Sequence, residues 1–148
     1  MTSGALARTA RRLGPRLWLD AARAALELAR ARRDLGRRSG AELLRQSRQP
    51  ARPRPRTPAE AEALAARVAF VVPRVAARLP WRADCWVQAL AARSWLARSG
   101  VSSEVIIGVR QDRGGFEAHA WLRHGARIVT GGEVGGYAPL VTPETPLP

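Results

Sequence analysis

One cysteine, two histidines and no lysine stand in this 148-residue chain. The single Cys85 excludes an internal disulfide framework and any multi-cysteine metal site, and fits a reducing cytosol. With only His119 and His124 beside it, a zinc site would need carboxylates, and no metal-ligand spacing is present. No metal and no cofactor are expected. Nor is there an apolar run near the ~20 residues that span a bilayer. Residues 1–16 hold several Arg but no continuous apolar stretch and no small-residue cleavage site after one, so no signal peptide is read there. The expectation is a soluble cytoplasmic protein with no membrane span. No internal repeat is visible.

With lysine absent, every basic residue is arginine, and the formal charge is +13. Such a surface suits a polyanion, or it reflects a composition biased toward Arg, Ala, Gly and Pro and spread over a solvated surface. The second reading is preferred, so nucleic acid is not expected as a partner. An arginine surface can still steer an acidic peptide or a partner protein. Hydrophobic residues make up 46% of the chain, enough for one compact domain with an accessory segment.

The chain divides into four stretches. Residues 1–49 read as a basic helical segment. Its first dozen residues are basic and loose, and Leu17, Ala21, Ala24, Ala25, Leu28 and Leu35 then recur at helical spacing from Pro15 to about Gly36. Arg23, Arg30, Arg33 and Arg37 take the other side. That amphipathic helix either covers the main domain with its apolar stripe or docks on a partner or a membrane. A short helix over about 40–47 follows. Residues 50–56, with Pro50, Pro53 and Pro55 between arginines, form an extended connector. Residues 57–138 form the core, and the Pro-rich 139–148 an irregular tail.

Within the core, Thr57-Pro58-Ala59-Glu60 is a helix start with an N-cap, a first-turn Pro and a capping-box Glu. That helix heads toward Leu79, with Pro73 expected to kink or divide it. Asp84 caps a second helix that ends at Gly100. Three strands are then predicted, over Glu104–Val109, Phe116–Leu122 and Arg127–Thr130, with turns at Asp112–Gly115 and His124-Gly125. The fold class is α+β: an N-terminal helical segment, then core helices, then an antiparallel β-meander.

Cys85 carries the chemistry. A thiol near its ordinary pKa of ~8.5 is mostly protonated at neutral pH, and a helix N-terminus or an adjacent imidazolium favours the nucleophilic anion. Cys85 follows the predicted cap, and its own backbone N–H is placed to stabilise an oxyanion. His119 lies on the second strand, where alternation puts Glu117, His119 and Trp121 on one face and Ala118, Ala120 and Leu122 on the other. Alone, Cys85 reads as an inert buried thiol and His119 as an ordinary sheet histidine. In this order and on these elements, the two suggest a nucleophile and its base. His124 reads as an exposed turn residue and Asp84 as a cap. The five Trp read as scaffold, with Trp86 and Trp121 as candidates to line a cleft.

Asp84-Cys85-Trp86-Val87-Gln88-Ala89-Leu90, Val105-Ile106-Ile107-Gly108-Val109-Arg110 and Phe116-Glu117-Ala118-His119-Ala120-Trp121-Leu122 together give residues 57–132 a family likeness. With Leu79-Pro80-Trp81 and Trp95–Gly100, this region resembles the transglutaminase-like leader peptidases of lasso-peptide biosynthesis, the lasso-peptide B proteins. The resemblance implies a papain/transglutaminase-like core, with the nucleophile on a helix and the histidine on the sheet. It also implies cleavage of a leader from a ribosomal precursor peptide, by attack of Cys85 with His119 moving the proton. The implied partners are the precursor, a separate leader-recognition protein and an ATP-dependent macrolactam synthetase.

Two departures stand out. The family pattern has an Asp on the strand after the histidine strand, to orient the imidazole; residues 127–133 contain none. Glu117, Thr130, Glu133 or a backbone carbonyl is left for that role, and the third triad member is unassigned. Residues 1–56 also lack the small β-rich leader-binding domain. The alternatives are an acyltransferase or amidase using the same Cys–His pair, and a non-catalytic basic module binding a peptide or nucleic acid.

Overall fold

A computed structural model of the protein describes residues 14–147. The loose basic segment expected over residues 1–12 lies outside the described residues. Helix α1 spans Pro15–Leu35, α2 Gly40–Ser47, α3 Pro58–Ala76 and α4 Cys85–Arg98. Strands β1 (Glu104–Asp112), β2 (Gly115–His124), β3 (Arg127–Thr130) and β4 (Ala138–Val141) follow. The result is an α+β fold of four helices and one antiparallel sheet in the order β3-β2-β1-β4.

Three of the four helices start on a side-chain cap, and α1 starts on Pro15. Ser39 with Glu42, and Thr57 with Glu60, form complete capping boxes, and Asp84 accepts the Val87 N–H at 3.0 Å. Glu60 accepts the Thr57 N–H at 2.7 Å, and that bond holds its carboxyl below the ordinary carboxylate value. A lowered folded-state pKa gives stability that is complete above the unfolded value, ~4.3, and is lost as pH falls through the folded value. Glu60→Gln is therefore expected to flatten the acid limb of stability below about pH 4.3. Urea midpoints measured between pH 3 and pH 6 check this; an unchanged acid limb would remove Glu60 from it.

The apolar stripe of α1 faces the core along its length. Ala24 and Leu28 are fully buried, and Leu17 and Leu35 pack at the edge of the core. Trp18 and Leu19 are exposed. Ala24, Leu28 and Leu44 share one buried cluster with Val68, Trp95 and Leu122. Burying a side chain such as Leu28 stabilises by about 1.5–3 kcal/mol, so α1 contributes directly to the core. Arg67 on α3 grips Asp20 on α1 through bonds of 2.6, 2.8 and 3.2 Å. On α4, the buried Arg93 donates to the carbonyls of Ser47 (2.8 Å) and Gln49.

Residues 50–56 have neither helix nor strand, and they lie against the end of α4. Arg52 N–H donates to Ala97 O at 3.0 Å and Arg56 Nε to Ser99 O at 2.6 Å. Gly100 ends the helix at φ +79°, and a Cβ there would meet Arg54 Cβ at 2.6 Å.

Three details differ from the sequence reading. Pro73 does not divide α3, which runs on to Ala76. It sits in the last turn, where only one ladder bond is lost and the chain is ending anyway. The first two strands are longer than expected, since the β1–β2 ladder continues from Glu104↔Arg123 to Asp112↔Gly115. The stretch from Pro139 is not wholly irregular: β4 pairs with β1 at Ile107↔Val141 and Val109↔Ala138. Proline cannot donate to a ladder but is accommodated on an edge strand, and β4 is an edge.

Candidate active site

Cys85 is the first residue of α4 and is half-buried. Asp84 supplies acceptors for the Val87 and Gln88 N–H groups. The N–H groups of Cys85 and Trp86, at the helix start, have no intrahelical acceptor and point out of the first turn. Gln88, one turn on, is tied back to the Ala83 carbonyl at 2.9 Å.

His119, half-buried on β2, reaches the same cavity. This cavity, of about 490 Å³, is lined by Ala69 and Pro73 of α3, Cys85 and Gln88 of α4, His119, and Ile128 to Gly132 at the end of β3. Its walls therefore bring the two sequence candidates together, with an apolar surface beside them.

The imidazole is held by a backbone group. His119 Nε2 lies 2.7 Å from the carbonyl oxygen of Gly131. A carbonyl only accepts, so Nε2 carries a proton, and in the neutral ring the lone pair is on Nδ1. Gly131 is at φ +113°, and a Cβ there would lie 2.4 Å from Trp121 Cβ and 3.4 Å from His119 Nε2. Only glycine brings its carbonyl to this place.

The other candidates for orienting the ring have different partners. Glu117 binds Arg110 at 2.6 Å; that bond and the Tyr137 hydroxyl hold its carboxyl below the ordinary value. Glu133 accepts the Gly135 N–H at 3.1 Å. Thr130 is 2% exposed, and its Oγ1 has no hydrogen-bond partner among the described residues. Of the four possibilities, the geometry supplies the backbone carbonyl. Asp84 is the cap it was expected to be. His124 closes β2 and meets the Ser102 carbonyl at 2.7 Å, where a turn residue was expected.

Aromatic rings enclose the imidazole. Trp121 stacks at a centroid distance of 6.2 Å, and Tyr137 lies at 4.9 Å, tilted 32°. Trp121 fits because Gly108, paired with His119 across the ladder, has no side chain: a Cβ there would meet the indole at 2.7 Å. Tyr137 is held in turn, with the Arg110 guanidinium 4.7 Å over its ring. Burial, then the bond to Glu117, pushes the Tyr137 phenol above its ordinary pKa, and Cys85 adds to the shift. The phenol is therefore a neutral donor at neutral pH, on a ring packed against His119. Sequence reasoning missed Tyr137 and Gly131. The Gly131-Gly132 pair was visible as a break after a strand, while nothing local marked the tyrosine. Among the described residues, no three of His, Cys, Asp or Glu converge on a metal-sized point.

No curated protein and no solved structure matches the chain. A family model for the transglutaminase-like superfamily matches residues 5–142. It takes in α1 and α2 as well as the core helices and the sheet, a wider span than the motifs suggest. Nearly the whole chain is thus accounted for by one family, whose members are typically cysteine peptidases or acyltransferases: the protein belongs to the transglutaminase-like superfamily.

Proposed function

We propose that the protein is a cysteine peptidase subunit that removes the leader from a lasso-type ribosomal precursor peptide. The observation that carries the reaction class is the opening of Cys85 and His119 into one cavity, with the tautomer set by the Gly131 carbonyl. The choice of substrate rests on the motif resemblance around Cys85 and His119.

In this reading His119 Nδ1 takes the thiol proton, and Cys85 Sγ attacks the scissile carbonyl carbon. The oxyanion of the tetrahedral intermediate faces the free N–H groups at the start of α4. As the C–N bond breaks, the imidazolium gives its proton to the leaving amine, and a thioester to Cys85 remains. Water, deprotonated by Nδ1, then attacks the thioester; the carboxylate leaves and the thiol is restored. Ala69, Pro73 and Ile128 give the substrate an apolar wall. A leader-recognition protein would present the precursor, and an ATP-dependent macrolactam synthetase would close the ring.

The test is incubation with a precursor peptide, its leader-binding protein and its synthetase, followed by mass spectrometry of the peptide. Wild type should release the leader; Cys85→Ala and His119→Ala should not. Unchanged release by Cys85→Ala would end the peptidase reading. Capture of the acyl group by an added amine in place of water would point to acyl transfer by the same pair.

Tyr137 gives a separate prediction. Packing of one ring on another is worth up to about 1.5 kcal/mol, so Tyr137→Ala should lower kcat by up to about tenfold. Tyr137→Phe keeps the ring and should stay within about threefold. Equal losses in the two variants would shift the role from the ring to the hydroxyl.

A further inference from the structure

A second cavity, of about 450 Å³, lies between α1, α2, the Pro/Arg stretch and α4. Five arginines line it, Arg30, Arg33, Arg52, Arg93 and Arg98, against two carboxylates, Glu27 and Asp34. Glu27, 2% exposed, forms the floor. Its Oε1 lies 3.6 Å from Arg30 and 3.5 Å from Arg98, and Oε2 has no partner among the described residues. Arg33 and Arg52 are exposed at the rim, and no acceptor within the described residues engages their guanidinium groups. The cavity thus has surplus positive charge at its mouth and a buried negative charge beneath.

That arrangement selects among anions. A compact, dense anion such as phosphate, seated deep, would meet the Glu27 carboxylate. Carboxylates spaced along a chain can bind the rim guanidiniums, which are geometrically suited to them. No aromatic residue lines the cavity, so it offers no platform for stacking bases. The rim of the second cavity at Arg52 and Arg98 lies at the far end of α4 from Cys85. Cys85 opens α4 and Arg98 closes it, which separates them by about 20 Å of helix. An extended peptide covers that distance in about six residues.

We propose that this cavity is an exosite that binds a run of Asp or Glu in the peptide on which the protein acts, about six residues or more from the bond at Cys85. The proposal rests on the peptidase reading for the identity of the ligand. Its test uses binding alone, so that the two fail separately.

The probe is fluorescein-labelled hexaglutamate, followed by anisotropy on the full chain at low salt, with hexaglutamine as the neutral control. Arg33→Glu/Arg52→Glu should weaken hexaglutamate binding by at least about tenfold, since two rim charges are reversed. Arg16→Glu/Arg113→Glu reverses two exposed arginines elsewhere and should change it by less than about twofold. Cys85→Ala should bind as wild type does, which separates the exosite from catalysis. Equal weakening by both charge reversals would reduce the effect to net charge and overturn the site. So would competition by inorganic phosphate or a thymidine hexanucleotide at lower concentration than unlabelled hexaglutamate. Circular dichroism of the Arg33/Arg52 variant should match wild type; if it does not, Arg52→Gln alone, which keeps the backbone bond to Ala97, should still weaken binding, and an unchanged affinity would overturn the proposal.

Discussion

Cys85→Ala is expected to remove peptide cleavage, with a fall in kcat on the order of 10⁶-fold, the scale seen when a covalent nucleophile is deleted. The thiol is the one free sulfur nucleophile of the chain, and it stands at the start of α4 where the developing oxyanion finds N–H donors. No neighbouring side chain can replace it: Gln88 is an amide, and the Asp84 carboxylate is engaged with the Val87 N–H. Loss of the base should be nearly as severe, because nucleophile and base act as one unit. The double variant Cys85→Ala/His119→Ala should be no worse than either single variant. Single-turnover assays with the leader-bearing peptide measure all three. Additive losses would mean that the two residues serve separate steps. Folding should be little affected, since Cys85 is half-buried and alanine suits a helix.

Gly131→Ala should produce the largest combined loss of stability and activity away from the nucleophile. At φ +113° a side chain is strained by about 1–3 kcal/mol. The new methyl would also sit 2.4 Å from Trp121 Cβ, inside a wall that cannot yield without moving the indole off Gly108. Relief of that clash moves the Gly131 carbonyl away from His119 Nε2. A shift of about 1 Å in such a contact costs on the order of 10²-fold in rate. Gly132→Ala is the control. It has φ +65° and open space around the Cβ position, so it carries backbone strain without the collision. Urea denaturation and kcat for both variants separate the effects. If Gly132→Ala loses as much activity as Gly131→Ala, strain in the loop is responsible and the carbonyl is not.

The parts of this molecule governed by local rules were legible in the sequence. Thr57 and Asp84 announce helix starts because capping involves residues three positions apart. The β1–β2 hairpin announces itself through Val105-Ile106-Ile107 and the Asp112–Gly115 turn. Cys85 and His119 were legible as a pair because each has a place on a predictable element. What orients His119 was not, because a backbone carbonyl has no residue type. The Gly131 role depends on the collision of an absent Cβ with Trp121, a contact set by tertiary packing. Tyr137 is invisible for a similar reason: it reaches His119 only once β4 has paired with β1, and β4 hides behind Pro139.

The bonds from Arg93 to the carbonyls of Ser47 and Gln49 determine how the protein can be dissected. Arg93 is 6% exposed as a residue, and burial lowers its pKa from the ordinary value. A fragment beginning at Thr57 would remove both acceptors together with α1 and α2, and would open to water the core face that Ala24, Leu28 and Leu44 cover. Uncovering apolar side chains costs about 1.5–3 kcal/mol for each one of the size of Leu28, a large part of the total stability of a small domain. Residues 40–56 are therefore structural counterparts of α4, and the smallest autonomous unit that presents Cys85 must extend upstream of them.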